Sequence, residues 1–250
     1  MPVTTTWTAE TISLHSARLE SYFHRDRVRI PCDTLAPVNV SVDLHPYLTS
    51  WISGTSRLFW VNGPPIEAED YDNPVTMLAT WLVHLAAQAG FPTLSYFCEL
   101  RRGEPLRRGN TWGAQSLVAV AMGVLRQMVE LLLPRFEAEV DLSEARFRLL
   151  DGTLASWGEA MGLLEELGKL MPPGVICVVD GLHWVDDDTT DVYLGELIGA
   201  LRRCGFKVLL TTSGRAPGLL DLIDESEVLD LEALDSGLEI TGMGGDIFDT

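Results

Sequence analysis

The residues best placed to do chemistry stand at the ends of apolar runs. Val178-Val179-Asp180 closes the run Gly174–Asp180, and Gly181-Leu182-His183-Trp184-Val185-Asp186-Asp187-Asp188 follows it. A carboxylate at the end of a buried strand can hold magnesium beside nucleotide phosphates; it can equally cap the next turn. A second run ends Thr211-Thr212-Ser213-Gly214-Arg215, where Arg215 could sense a phosphate. A third, Arg57–Gly63, ends in Gly63-Pro64-Pro65, a stop signal at a place where backbone amides could cradle an anion. The five histidines show no HxxxH or HExxH spacing, and no Ser or Cys nucleophile motif occurs.

These ends need elements behind them. A helix is expected over Pro74–Ala89, with Asn73 as N-cap, Pro74 in the first turn and Gly90 past the end. Further helices are expected at 44–52, 116–133, 153–171 and 191–204, with a short one at 217–223. Strands are expected at 57–63, 93–100, 174–180, 206–212 and 227–231. The stretch 136–150 reads as mixed and partly helical. Continuous apolar strands alternating with helices predict an α/β fold, a three-layer arrangement with five mostly parallel strands flanked by helices. In such sheets ligands bind beyond the carboxyl ends of the strands.

The order of these pieces resembles the P-loop NTPases of the STAND type, in particular the NACHT-like domains common in fungal proteins. The resemblance covers about residues 44–232. It rests on the Gly63-Pro64-Pro65 strand end, the Tyr96-Phe97-Cys98 strand followed by Arg101-Arg102, Asp180-Gly181-Leu182, the Leu182-His183-Trp184-Val185-Asp186 sequence and the Thr211–Arg215 strand end. It implies a phosphate-binding Walker A loop after the first strand, a Walker B carboxylate at Asp180, and ATP or GTP with Mg as ligand.

The Walker A loop departs from the pattern. Counted from Gly63, Ile66 and Ala68 replace glycines, Glu69 stands at the lysine position and Asp70 at the magnesium-binding Ser/Thr position, flanked by Glu67 and Asp72. Two unit charges ~4 Å apart interact by about 4 kcal/mol at an effective dielectric near 20, so replacing Lys by Glu turns that attraction into repulsion. Only two lysines exist, Lys169 and Lys207, and neither belongs to this loop. The expectation is a catalytically inactive, NTPase-like domain with no cofactor, serving as a protein-interaction or scaffold module. Its vestigial site is Gly63, Pro64, Pro65, Ala68, Glu69 and Asp70, with Asp180 as the metal position. The alternative is an atypical Mg-dependent nucleoside-triphosphate hydrolase using Asp180, Asp186 or Asp187 for metal and Arg215 for phosphate.

The charge balance bounds the partners. The chain carries 36 acids against 18 bases, a net charge of −18. That excess argues against nucleic acid and against an anionic membrane, and leaves an unidentified protein as the expected partner. Residues 216–250 hold ten acids and no Lys or Arg, so much of the acidity is C-terminal. Expected organisation is an N-terminal helix and connector over 1–43, the α/β domain over 44–232, and an acidic, disordered tail over 233–250. The four cysteines lack metal or redox spacing and read as reduced core thiols of a cytoplasmic protein. The longest apolar run, Val75–Phe91, is interrupted by His84 and Gln88, and residues 1–30 lack the apolar core of a signal peptide.

Overall fold

The computed structural model describes residues 4–30, 44–65, 73–100, 102–214 and 216–233. Its centre is a sheet of five strands: β2 (Leu58–Gly63), β3 (Thr93–Phe97), β5 (Ile176–Asp180), β6 (Lys207–Ser213) and β7 (Val228–Asp230). Their order across the sheet is β3-β5-β6-β2-β7, and every neighbouring pair is parallel. Helices cover both faces, so the three-layer, five-stranded α/β fold expected from the sequence is the one observed.

Alternation along each strand sends successive side chains to opposite layers. Cys177 and Val179 of β5 join the larger core, with α4 (Trp112–Glu130), α6 (Trp157–Gly168) and α7 (Asp191–Arg203). Ile176 and Val178 join the other, with α2 (His45–Ser53) and α3 (Pro74–Gln88). Asp180, two residues beyond Val178, therefore faces α3. The same rule splits the end of β6, where Thr211 faces α3 and Thr212 faces away from it.

Helix α3 begins as its sequence predicts. Asn73 accepts from the Thr76 backbone N–H at 2.8 Å, and Pro74 occupies the first turn. Helix α4 starts four residues earlier than expected, because Thr111 caps it by accepting from Ala114 N–H at 3.1 Å. It is buried on nearly every side, which explains its apolar composition. The expected single helix over 153–171 divides into a 3-10 turn, Leu154–Ser156, and α6.

One element differs in kind. Arg135–Ala138 forms a strand, β4, paired antiparallel with β1 (Thr5–Thr8), from Thr5 against Ala138 to Thr8 against Arg135. Four-residue, mostly exposed strands leave too short an alternation to read as a pattern. Part of the 136–150 stretch is helical, α5 (Glu144–Arg148). The segment before the main sheet shares its core. Ile12, from α1 (Ala9–His15), together with Leu19 and Phe23, lies in the same buried cluster as α4.

Edge strand β3 is protected by a side chain. Gln127 of α4 accepts from Ser95 N–H at 2.9 Å and donates to Ser95 C=O at 2.8 Å, so an amide takes the place of a sixth strand. At the amino end of β6, Lys207 donates to the carbonyls of Trp51, Gly54 and Ser56 at 2.6–2.9 Å. It closes the end of α2, opposite the carboxyl ends where a ligand would sit.

Candidate functional site

Three side chains meet where the carboxyl ends of β5 and β6 pass under the first turn of α3. Asp180 is 4 % exposed. Thr76 Oγ1 donates to its Oδ2 at 2.7 Å, and Thr211 Oγ1 donates to its Oδ1. Asn73 Nδ2 donates to Thr76 Oγ1 at 2.8 Å and orients that hydroxyl. Burial pushes the Asp180 carboxyl up to about 6, against the pull of the two hydroxyls and of the Arg27 charge. Arg27 comes from the N-terminal segment and pairs with Glu99. Cys98, fully buried beside Asp180, has its thiol pushed well up by burial first and by the Asp180 charge second.

The backbone locks this corner. Gly181 N–H donates to Thr211 C=O at 3.1 Å, and Cys98 N–H donates to Asp180 C=O at 2.8 Å. Gly181 has φ +74°, and a Cβ there would stand 3.2 Å from Trp184 and 3.3 Å from the Cys98 carbonyl. A side chain directly after Asp180 is thus disfavoured twice, by conformation and by space.

His183 points its Nδ1 at Ser213 N–H, which donates to it at 3.1 Å. The proton of the neutral ring is therefore on Nε2. Burial lowers the His183 value to about 4, so the ring stays neutral. The acids that follow are directed elsewhere. Asp186 accepts from Gly218 N–H at 3.1–3.2 Å, at the start of α8 (Pro217–Leu220). Burial, followed by the charge of Asp191, pushes Asp186 up to about 6. Asp187 accepts from Thr189 N–H at 2.8 Å and Thr189 Oγ1 at 2.5 Å, closing the turn before α7.

At the end of β2, Gly63 is required for close approach. A Cβ there would lie 2.2 Å from Val75 Cγ2, and Val75 is buried. Gly63→Ala should destabilise the fold by ~1–3 kcal/mol, as overpacking does. Val75→Ala in the same chain should recover much of that loss, and urea denaturation of the two single variants and the double variant measures the coupling. Additive losses would place the clash elsewhere.

Beside Gly63 and Pro65 opens a cleft of about 650 Å³, bounded also by Trp60, Asn62, Gly214 and Pro217. Its charged lining residues are Asp230 and Glu232, with no Lys or Arg among the described residues.

Of the residues singled out from sequence, Asp180 and Gly63 stand at the carboxyl edge of the sheet as expected, and Pro64 and Pro65 follow β2. Ala68, Glu69 and Asp70, with Ile66, Glu67 and Asp72, lie outside the described residues, as do Arg215 and the tail from 234. Of the partners of Asp180, Thr76 has no place in the sequence reading, and Thr211 appears there only as part of the strand end before Arg215. The signal for Thr76 was present: Asn73-Pro74 fixes the helix start, so Thr76 must sit in the first turn at the sheet edge.

No family model matches this chain, and no curated protein matches it. Among solved structures, one titled "Structure of C. elegans PCH-2" aligns at 12 % identity with a TM-score of 0.35. The alignment covers 85 % of this chain and 45 % of that one, so the chain spans less than half of that neighbour's length.

Proposed function

We propose that this chain is a P-loop NTPase-like domain that does not turn over nucleotide and acts as a protein-interaction or scaffold module. The observation that carries the reading is the closed Asp180 corner, with both carboxylate oxygens taken by Thr76 and Thr211. The STAND and NACHT resemblance supplies the comparison. In that family's loop, a lysine immediately precedes the magnesium-binding hydroxyl. If Thr76 is that hydroxyl, the preceding residue is Val75, buried against Gly63. Counted forward from Gly63 instead, the lysine position is Glu69. Neither register supplies a cation, so the defect does not depend on which is correct. Among the described residues the nearby cleft adds acidic charge, Asp230 and Glu232, which repels a triphosphate.

The alternative, a Mg-dependent hydrolase of ATP or GTP using Asp180 and Arg215, draws on one observation. A threonine hydroxyl beside a strand-end carboxylate is the pairing that the resemblance implies for magnesium. To bind metal there, Asp180 would have to release both hydroxyls or share them. The lack of a lysine weighs against this: a missing attraction of about 4 kcal/mol is a factor near a thousand in affinity. The remaining expectations follow as part of the same proposal: a cytoplasmic protein with a protein partner and no nucleic-acid or membrane ligand. No helix among the described residues is long and apolar enough to cross a membrane.

Calorimetric titration of the full chain with Mg-ATP and Mg-GTP at near-millimolar concentration should give no stoichiometric heat. Saturable binding that disappears in Asp180→Ala would sink this reading, and phosphate release by the wild-type chain would then test the hydrolase alternative.

A further inference from the structure

Helices α7 and α8 leave an apolar face uncovered. Val192 is 71 % exposed, Leu220 66 % and Leu222 38 %. The face is continuous across the two helices. Leu222 packs over Gly195, where a Cβ would stand 3.1 Å from it, and the Asp191 carboxylate lies 3.0 Å from a Cβ placed on Gly218. Acids surround it. Asp188, Asp191 and Asp221 are exposed, and none forms an ion pair among the described residues.

A patch of opposite make-up lies on the loop between β3 and α4. Arg102 and Arg108 are exposed, Leu106 between them is 42 % exposed, and neither Arg forms an ion pair among the described residues. Arg107 is already used: it donates to the Ser21 carbonyl and lies 4.7 Å over the Tyr22 ring. The two patches are neighbours, because Thr111 at the end of the loop meets Thr189 before α7, with hydroxyls 3.1 Å apart.

We propose that the α7–α8 face docks the Arg102–Arg108 loop of a second copy of this chain. Leu106 would enter the Val192–Leu220–Leu222 surface while Arg102 and Arg108 meet Asp188, Asp191 and Asp221. Adjacent complementary patches related by a two-fold axis meet reciprocally, the loop of each copy on the face of the other. Charge selects this occupant over the others at hand. The chain's own segment 234–250 carries four acids and no base, so it would bring like charge to an acidic rim. Two such faces meeting directly would also repel. The contact gives the interaction module proposed above its first partner. Nucleotide binding would remove the inactive-site reading and leave the contact standing, so the two fail separately.

Sedimentation of the full chain over about a hundredfold dilution series, with salt varied from ~0.1 to ~1 M, tests the proposal. The mass should rise from 27.6 kDa toward twice that value on concentration, and fall back with salt as the screening length shortens from ~10 to ~3 Å. Asp188→Arg with Asp221→Arg on the face, and separately Arg102→Glu with Arg108→Glu on the loop, should each weaken association by about tenfold or more. An equimolar mixture of the two variants should associate again, because each altered patch then meets its complement. Circular dichroism checks that both variants fold, and the salt series needs no variant at all. A wild-type chain that stays monomeric throughout would overturn the proposal. So would association that survives both sets of substitutions, or a mixture that stays monomeric.

Discussion

Arg126→Ala should lower stability by ~3 kcal/mol or more, the scale seen when a buried charged hydrogen-bond network loses a member. Arg126 is 8 % exposed, on a helix otherwise filled with apolar side chains. Its Nε donates to Glu20 at 2.8 Å, Nη1 to Ser13 C=O at 3.0 Å and to Ser16 Oγ at 2.7 Å, and Nη2 to Ser13 Oγ at 3.2 Å. Those partners belong to the N-terminal segment, so one guanidinium pins that segment to α4. Glu20 keeps Arg25 at 2.6 Å after the substitution, so the loss comes from the vacated volume and the orphaned serine groups. A chain of this size should lose roughly 6–12 °C in Tm for that change. Lysine keeps the charge but not the planar fork, and should recover less than half of the loss. Limited proteolysis should show the first 21 residues cut before the sheet is. A variant within about 1 kcal/mol of wild type would mean that the apolar contacts of Ile12 and Leu19 hold the segment unaided.

The sheet and its two faces were legible because buried parallel strands are continuous apolar runs, and five of them occur between helix signals. Helix α3 was legible to the residue at its start, since Asn73 and Pro74 leave little choice. The β1–β4 ribbon was not, because strands of four residues with exposed side chains lack a pattern to recognise. The partners of Asp180 were hidden for another reason. The spacing that the resemblance implies runs forward from Gly63 and ends at Asp70, before the helix begins. Counting forward from the Asn73 cap instead reaches Thr76, which meets Asp180. Thr211 was read as part of a polar strand tip, whereas alternation across the sheet assigns it to the layer of Asp180 and sends Thr212 to Trp60 and Asn62. Arg126 escaped because a lone arginine in an apolar helix says that it is paired, not with what.

Asp180→Asn and His183→Gln should tilt the pH dependence of stability in opposite directions. Asp180 titrates at about 6 in the fold against 3.8 for a free carboxyl. Between those values the native chain keeps a proton that the unfolded chain has released. The native state therefore binds more protons, and stability falls as pH rises from about 4 to about 6. Asp186, also raised to about 6, adds to the same slope. The swing from Asp180 alone is about 3 kcal/mol. His183 works against it. It is held at about 4 against 6.5 when free, so across that window the unfolded chain binds the extra proton, and stability rises with pH. In wild type His183 offsets one carboxyl between pH 4 and 6 and Asp186 is left over, so stability should fall gently across that window. Removing Asp180 leaves Asp186 against the histidine, so the Asp180→Asn curve should lose the wild-type fall and run level or rise toward neutral pH. The asparagine can accept from one threonine and donate to the other, which keeps the corner bonded. Removing His183 leaves the carboxyl slope, so His183→Gln should lose stability over the same interval. Denaturant midpoints at half-unit steps from pH 4 to 7 resolve the two. An Asp180→Asn curve parallel to that of wild type would mean that Asp180 is hydrated rather than closed. The hydroxyl pair would then be free to admit a metal, and the case against nucleotide chemistry at this corner would lose its principal support.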